Sequence, residues 1–224
     1  MTDNPERNTP ATRIQQNILA RGERRVLDWL CAHLPRWVTP DQLTTLGFLG
    51  AVMVAMGYML SWVDPAWLAL SIIGFVVNWF GDSLDGSLAR WRRIERPRYG
   101  YFVDHSVDGL AIFLMVGSIG LSPYVRFDVA LIAVVGYLLL AIHSFLAAKV
   151  MGEFRLSYMA GGPTELRLML IAMTALMPVV GGADVGSTNF SPFDIFGLGI
   201  ASILVTLFVT QSFATARQLA RRGD

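Results

Sequence analysis

This sequence predicts an all-α, polytopic membrane fold of six transmembrane helices preceded by an amphipathic interfacial helix, and three observations predict it. First, 54% of the 224 residues are hydrophobic and only 16% are charged, more apolar side chain than a soluble domain of this length can bury. Second, six apolar stretches run approximately over 43–63, 66–90, 101–121, 127–149, 165–181 and 193–213, each near the roughly 20 residues that cross a bilayer core. Third, the basic residues are segregated. Of the 18 Lys and Arg residues, only Arg126 falls in the connections between spans one and two, three and four, or five and six. The rest lie in the N-terminal segment, the 90–99 and 149–167 loops and the C-terminal tail, so both termini are expected in the cytoplasm.

Before the first span, Ile14, Ile18, Leu19, Val26, Leu30 and Leu34 recur at helical spacing beside Arg13, Arg21, Arg24 and Arg25. This amphipathic pattern suits either the membrane surface or packing on the loops, since the apolar stripe does not distinguish lipid from protein. The segment is too polar for the apolar core of a cleavable signal peptide, so targeting is expected from the first span itself. Cys31, the sole cysteine, excludes an intrachain disulfide and reads as packing. Pro40 restarts the chain into the first span. The sequence divides into a cytoplasmic or interfacial segment 1–38, a six-helix catalytic domain 39–215 and a basic cytoplasmic tail 216–224. Gly47 and Gly50 in the first span, and Gly197 and Gly199 in the last, mark expected close helix contacts.

The second and third spans carry the chemistry. Asp82, Asp85, Asp104 and Asp108 stand inside otherwise apolar helices, where a carboxylate is expensive and marks function. Asp82 and Asp85 are three apart and Asp104 and Asp108 four apart, so each pair shares a helix face. With a short cytoplasmic loop between antiparallel neighbours, both pairs lie one or two turns inside the same membrane face and can converge. Convergent carboxylates repel one another unless cations neutralise them, and oxygen-only ligands suit hard ions such as Mg²⁺ or Mn²⁺. Such sites commonly serve phosphate chemistry. Gly86, Ala89, Ser83 and Ser87 remove bulk along the second helix, and Arg90 adds a fixed cation one turn on.

The segment Asp82-Ser-Leu-Asp85-Gly86-Ser-Leu-Ala89-Arg90, followed after nine residues by Gly100-Tyr-Phe-Val-Asp104-His-Ser-Val-Asp108, resembles the signature of the CDP-alcohol phosphotransferases. The resemblance implies six spans, two divalent ions and a homodimer. It implies attack of an alcohol hydroxyl on the β-phosphorus of a CDP-alcohol, forming a phosphodiester and releasing CMP. By position, Asp82, Asp85 and Asp104 would be metal ligands, Asp108 would contact the second metal and act as general base, and Gly86 and Arg90 would contact the nucleotide and its phosphates. Pro40-Asp41-Gln42-Leu43-Thr44 is similar to the family's cytidine-side loop, which adds Asp41 and Thr44 to the nucleotide site.

The favoured donor is CDP-diacylglycerol with a small polar alcohol; CDP-choline or CDP-ethanolamine with a lipid alcohol would use the same chemistry. Membrane lipids are the expected surroundings, with no nucleic-acid partner. Three other readings compete. A structural ion-pair network with the loop arginines leaves the spacing unexplained. A prenyltransferase, suggested by Asn78, Asp82 and Asp85, leaves Gly86, Ala89, Arg90 and Gly100 unexplained. A cation transporter needs carboxylates continuing across the bilayer, whereas these four gather at one face. Lys149, Arg155 and Arg167 could bind an acceptor or lipid phosphate, or simply express the cytoplasmic charge bias. His105, His143 and Glu153 receive no chemical role.

Overall fold

Thr39 opens the first span through a capping box: its Oγ1 accepts from Gln42 N while Gln42 Oε1 accepts from Thr39 N, with Pro40 in the first helical position, an arrangement that satisfies otherwise orphaned amide groups. In the computed structural model, which describes residues 20–151, 163–181 and 190–222, the chain forms α1 (Ala20–His33), α2 (Pro40–Leu60), α3 (Leu68–Arg92), α4 (Pro97–Ile119), α5 (Phe127–Met151), α6 (Pro163–Val180) and α7 (Pro192–Arg222), with a 3₁₀ turn at Pro65–Trp67. The described residues contain no strand. Helices α2 to α7 are each long and apolar enough to cross a membrane, at the six places the hydropathy pattern predicts. Arg13, Ile14, Ile18, Leu19, Glu153, Arg155, Gly161 and Gly162 lie outside the described residues.

The inner face of α1 packs on protein. Leu27, Leu30, Cys31 and Leu34 meet Leu43 of α2 and Phe80, Leu84 and Leu88 of α3, the second of the two partners the amphipathic pattern allowed. Val26 and Trp29, 47% and 60% exposed, look outward. Cys31 is buried, and burial pushes its thiol pKa up, as suits an inert packing residue. Below this seam, Arg92 donates to the carbonyls of Val38 at 2.5 Å, Pro35 at 2.9 Å and Leu34 at 3.1 Å, and so holds the turn that leads into α2.

Helices α2 and α3 form the tightest pair. A Cβ on Gly50 would lie 2.4 Å from Asn78 N, and one on Gly81 2.3 Å from Gly47 N; bare backbone is required where the helices cross this closely. Gly197 is likewise tight, a Cβ there meeting Val129 Cγ1 at 2.9 Å, but nothing lies within 4 Å of one on Gly199. The expectation of a close helix contact at Gly199 is therefore corrected for this chain's own helices. A second correction concerns α3 and α4. They are not each other's main packing partners: α3 lies chiefly against α2, while α4 packs on α2 and α5. A cleft is left between α3 and α4 with α2 as its floor.

At the opposite end, Ser191 and Asp194 form another reciprocal cap. Ser191 N donates to Asp194 Oδ2 at 2.8 Å and Asp194 N to Ser191 Oγ at 3.0 Å. Asp194 is fully buried and also accepts Arg126 N at 2.7 Å. Helix α7 then continues to Arg222, so most of the expected tail is helical.

Candidate active site

The cleft is narrow and is lined by Thr44, Gly47, Phe48, Asn78, Asp82, Asp85, Asp104, Val107, Asp108 and Ala111. All four aspartates that the sequence singles out meet there, at the arginine-rich end of the bundle. Asp82 and Asp108 line it together, although they belong to different helices. A Cβ at Gly47 would stand 3.1 Å from Asp82 N, so α2 lies close against the α3 backbone beneath the carboxylates.

Asp85 is the most enclosed of the α3 pair, 9% exposed. Thr44 Oγ1 donates to its Oδ2 at 2.6 Å, and Gly86 N to its Oδ1 at 2.5 Å. Thr44 is thus brought into the site through Asp85. Asp82 faces α6, where Arg167 Nη2 donates to its Oδ2 at 2.6 Å and Arg167 Nε donates to Asn78 Oδ1 at 2.9 Å. Asn78 Nδ2 in turn donates to Gly47 O at 3.0 Å, fixing the amide orientation that presents its oxygen to the guanidinium.

Other expected site residues lie apart from the carboxylates. Asp41 occupies the first turn of α2, half exposed and ion-paired with Arg96, and lines a shallow outer groove with Gln42, Thr45, Leu46 and Leu49. Arg90 is one turn beyond the cleft, where its guanidinium reaches Ser87 Oγ at 3.3 Å and lies over Gly86. A side chain added at Gly100 would meet nothing within 4 Å, leaving the first turn of α4 open. His105, given no role from sequence, has its Nδ1 3.5 Å from Asp104 Oδ2 and its ring edge-on to Tyr101. Asp104, His105 and Asp108 each place a donor atom within 4.8 Å of the others.

Two residues at or beside the cleft were underrated by sequence reasoning. Asn78 stands one turn before Asp82 on the same face of α3, a spacing visible in the sequence. Arg167 is a charge within an apolar span, the same signal that marks the aspartates; what the sequence lacks is its partner, 85 residues away.

The donor set fits hard divalent cations. Four carboxylates lining one narrow cleft repel unless positive charge neutralises them, and the one guanidinium ion-paired there, Arg167 on Asp82, is a single positive charge against four carboxylates. Carboxylate oxygens from two helices, backed by the Thr44 hydroxyl and Gly86 amide, are the ligand and support chemistry that Mg²⁺ or Mn²⁺ prefers.

The family model described as CDP-alcohol phosphatidyltransferase matches residues 37–215. Archaetidylinositol phosphate synthase of Pyrococcus horikoshii is 31% identical over 99 residues, covering 44% of this chain and 50% of that protein. Cholinephosphotransferase 1 of Danio rerio is 30% identical over 98 residues, covering 41% of this chain and 25% of that protein. The matches thus span half of one curated relative and a quarter of the other. With the family model covering most of its length, including every cleft residue and Arg167, this chain belongs to the CDP-alcohol phosphatidyltransferase family.

Proposed function

We propose that this protein transfers a phosphatidyl or phosphoalcohol group from a CDP-linked donor to an alcohol, with release of CMP, in phospholipid synthesis. The observation that carries the reading is the meeting of Asp82, Asp85, Asp104 and Asp108 in one cleft. Asp82, Asp85 and Asp104 would hold two divalent cations, with Asp108 reaching the second. When bound, Mg²⁺ or Mn²⁺ supplies Lewis-acid polarisation of phosphate oxygens and charge neutralisation at the leaving group. The chain's own residues do the rest. Asp108 takes the proton of the acceptor hydroxyl, whose oxygen bonds to the β-phosphorus as the bond from that phosphorus to the bridging oxygen breaks and CMP departs. Thr44 and the Gly86 amide hold Asp85 in one orientation. Arg167 keeps a fixed positive charge against Asp82. Gly86 and Arg90, with Asp41 and Thr44 on α2, receive the nucleotide.

The reaction is assigned to the domain 39–215, with 1–38 and 216–224 flanking it on the cytoplasmic side. The arginine distribution supports cytoplasmic termini and a cytoplasmic cleft, and the family resemblance supports a homodimer. CDP-diacylglycerol with a small polar alcohol is the favoured pair, and archaetidylinositol phosphate synthase is the relative whose name fits that direction. Cholinephosphotransferase supports the second reading, a CDP-choline-type donor and a lipid alcohol, through the same cleft.

Purified protein would be assayed for CMP release from CDP-diacylglycerol, CDP-choline and CDP-ethanolamine with pooled alcohol acceptors and Mg²⁺ or Mn²⁺, beside Asp108→Asn. One donor should dominate, and the substitution should lower its turnover by about 10²–10⁴-fold, the usual contribution of a general base. Folded protein silent with every donor would sink the proposal.

A further inference from the structure

Arg167 reaches Asp82 from the first turns of α6, and the start of that helix is fastened by a residue of α1. Thr164 Oγ1 donates to Glu23 Oε1 at 2.6 Å, and the same oxygen accepts Trp79 Nε1 at 2.9 Å. Trp79 adjoins Asn78, which receives Arg167 Nε, and Thr164 lies three residues, slightly under one helical turn, before Arg167. A single carboxylate oxygen therefore ties α1, α3 and α6 together beside the chain of contacts from Asn78 through Arg167 to Asp82. Both hydrogen bonds are partly buried, and bonds to an ionised acceptor are roughly twice as strong as neutral ones. The platform from which Glu23 extends is itself held by the apolar seam on α3 and by Arg92 on the Leu34, Pro35 and Val38 carbonyls.

We infer that Glu23 is a positioning residue for Arg167, holding the first turn of α6 against α3 so that the guanidinium stays on Asp82 and Asn78 within the carboxylate cleft. The inference rests on the phosphotransfer reading, in which Asp82 is a cation ligand. It has a consequence that a general structural role lacks: the influence of Glu23 passes through Arg167 and disappears once Arg167 is gone.

Mn²⁺ binding to the purified full-length protein, followed by electron paramagnetic resonance of the free ion, reads this without turnover. A guanidinium beside Asp82 opposes cation binding, so Arg167→Ala should tighten Mn²⁺ affinity by about threefold or more, a modest electrostatic effect in a partly screened site. Glu23→Ala should reproduce that change, the double variant should go no further, and Glu23→Gln, which keeps the acceptor oxygen but loses the same charge, should bind like wild type. CMP release should follow the same pattern, with Glu23→Ala lowering kcat/KM about tenfold for the lost hydrogen bonds and Glu23→Gln restoring most of it. Glu23→Ala indistinguishable from wild type, or an effect that persists in full on top of Arg167→Ala, overturns the inference. If Glu23→Ala does not fold, Thr164→Val and Thr164→Ser decide: change in the first with retention in the second supports the link, and equal behaviour contradicts it. Wild type that binds Mn²⁺ with this pattern but releases no CMP would refute the phosphotransfer reading while upholding the positioning role; wild type that binds no Mn²⁺ overturns both.

Discussion

Thr44 touches Asp85, a carboxylate whose two oxygens are both engaged. Its hydroxyl at 2.6 Å and the Gly86 amide at 2.5 Å hold Asp85 from opposite oxygens. Replacing Thr44 by Val keeps the shape and removes the donor. Because groups behind metal ligands typically tune affinity by 10–100-fold, Thr44→Val should raise the Mn²⁺ concentration for half-maximal CMP release by about tenfold or more, with the fold intact. An unchanged metal requirement would remove Thr44 from the account. At this scale the four aspartates were legible because a charge inside an apolar span stands out within its own window. The partner of Asp41 was not: its side chain turns to Arg96, 55 residues on, which no local pattern encodes. Glu23 was invisible for the same reason, since one of its partners lies 141 residues away and no local pattern encodes that.

Among the elements, α2 and α3 depend on glycine where others depend on side-chain packing. A Cβ on Gly81 would stand 2.3 Å from Gly47 N and 2.5 Å from Leu43 O, and backbone atoms cannot step aside as a flexible side chain can. Gly81→Ala should therefore destabilise the protein by about 1–3 kcal/mol, the usual cost of overpacking, and should lower activity as well, because the next residue is Asp82. Gly199→Ala, with nothing within 4 Å, should unfold like wild type. Thermal unfolding in detergent micelles distinguishes the two, and equal losses would contradict the close-crossing argument. The helices themselves were legible from hydropathy, since crossing a bilayer demands a continuous apolar run. Their ends were set by chemistry that hydropathy does not weigh: the Thr39 and Gln42 capping box moves α2 back to Pro40, and Ser191 with Asp194 starts α7. Which helices touch was less legible. A short loop between α3 and α4 suggested packed neighbours, but the small residues of α2 draw α3 onto that helix instead, and the resulting gap is the cleft.

Across the whole molecule, charge is distributed by end. The four cleft carboxylates and most of the described arginines share one end of the bundle. At the other, Asp194 is consumed by the cap of α7 and the Arg126 amide, while Asp128 pairs with the Arg126 side chain at 2.8 Å. Among the described residues no series of carboxylates links the two ends, so the arrangement suits chemistry at one membrane face better than a path across it. The family match over residues 37–215 spans that same six-helix body. If the aspartate cleft works only when loaded with hard cations, CMP release by purified protein stripped with a chelator and then titrated with Mg²⁺ or Mn²⁺ will show it. Negligible release after stripping, recovery on adding either ion, and no recovery in Asp85→Asn are the results expected of such cation dependence. Full CMP release in the presence of chelator would contradict it.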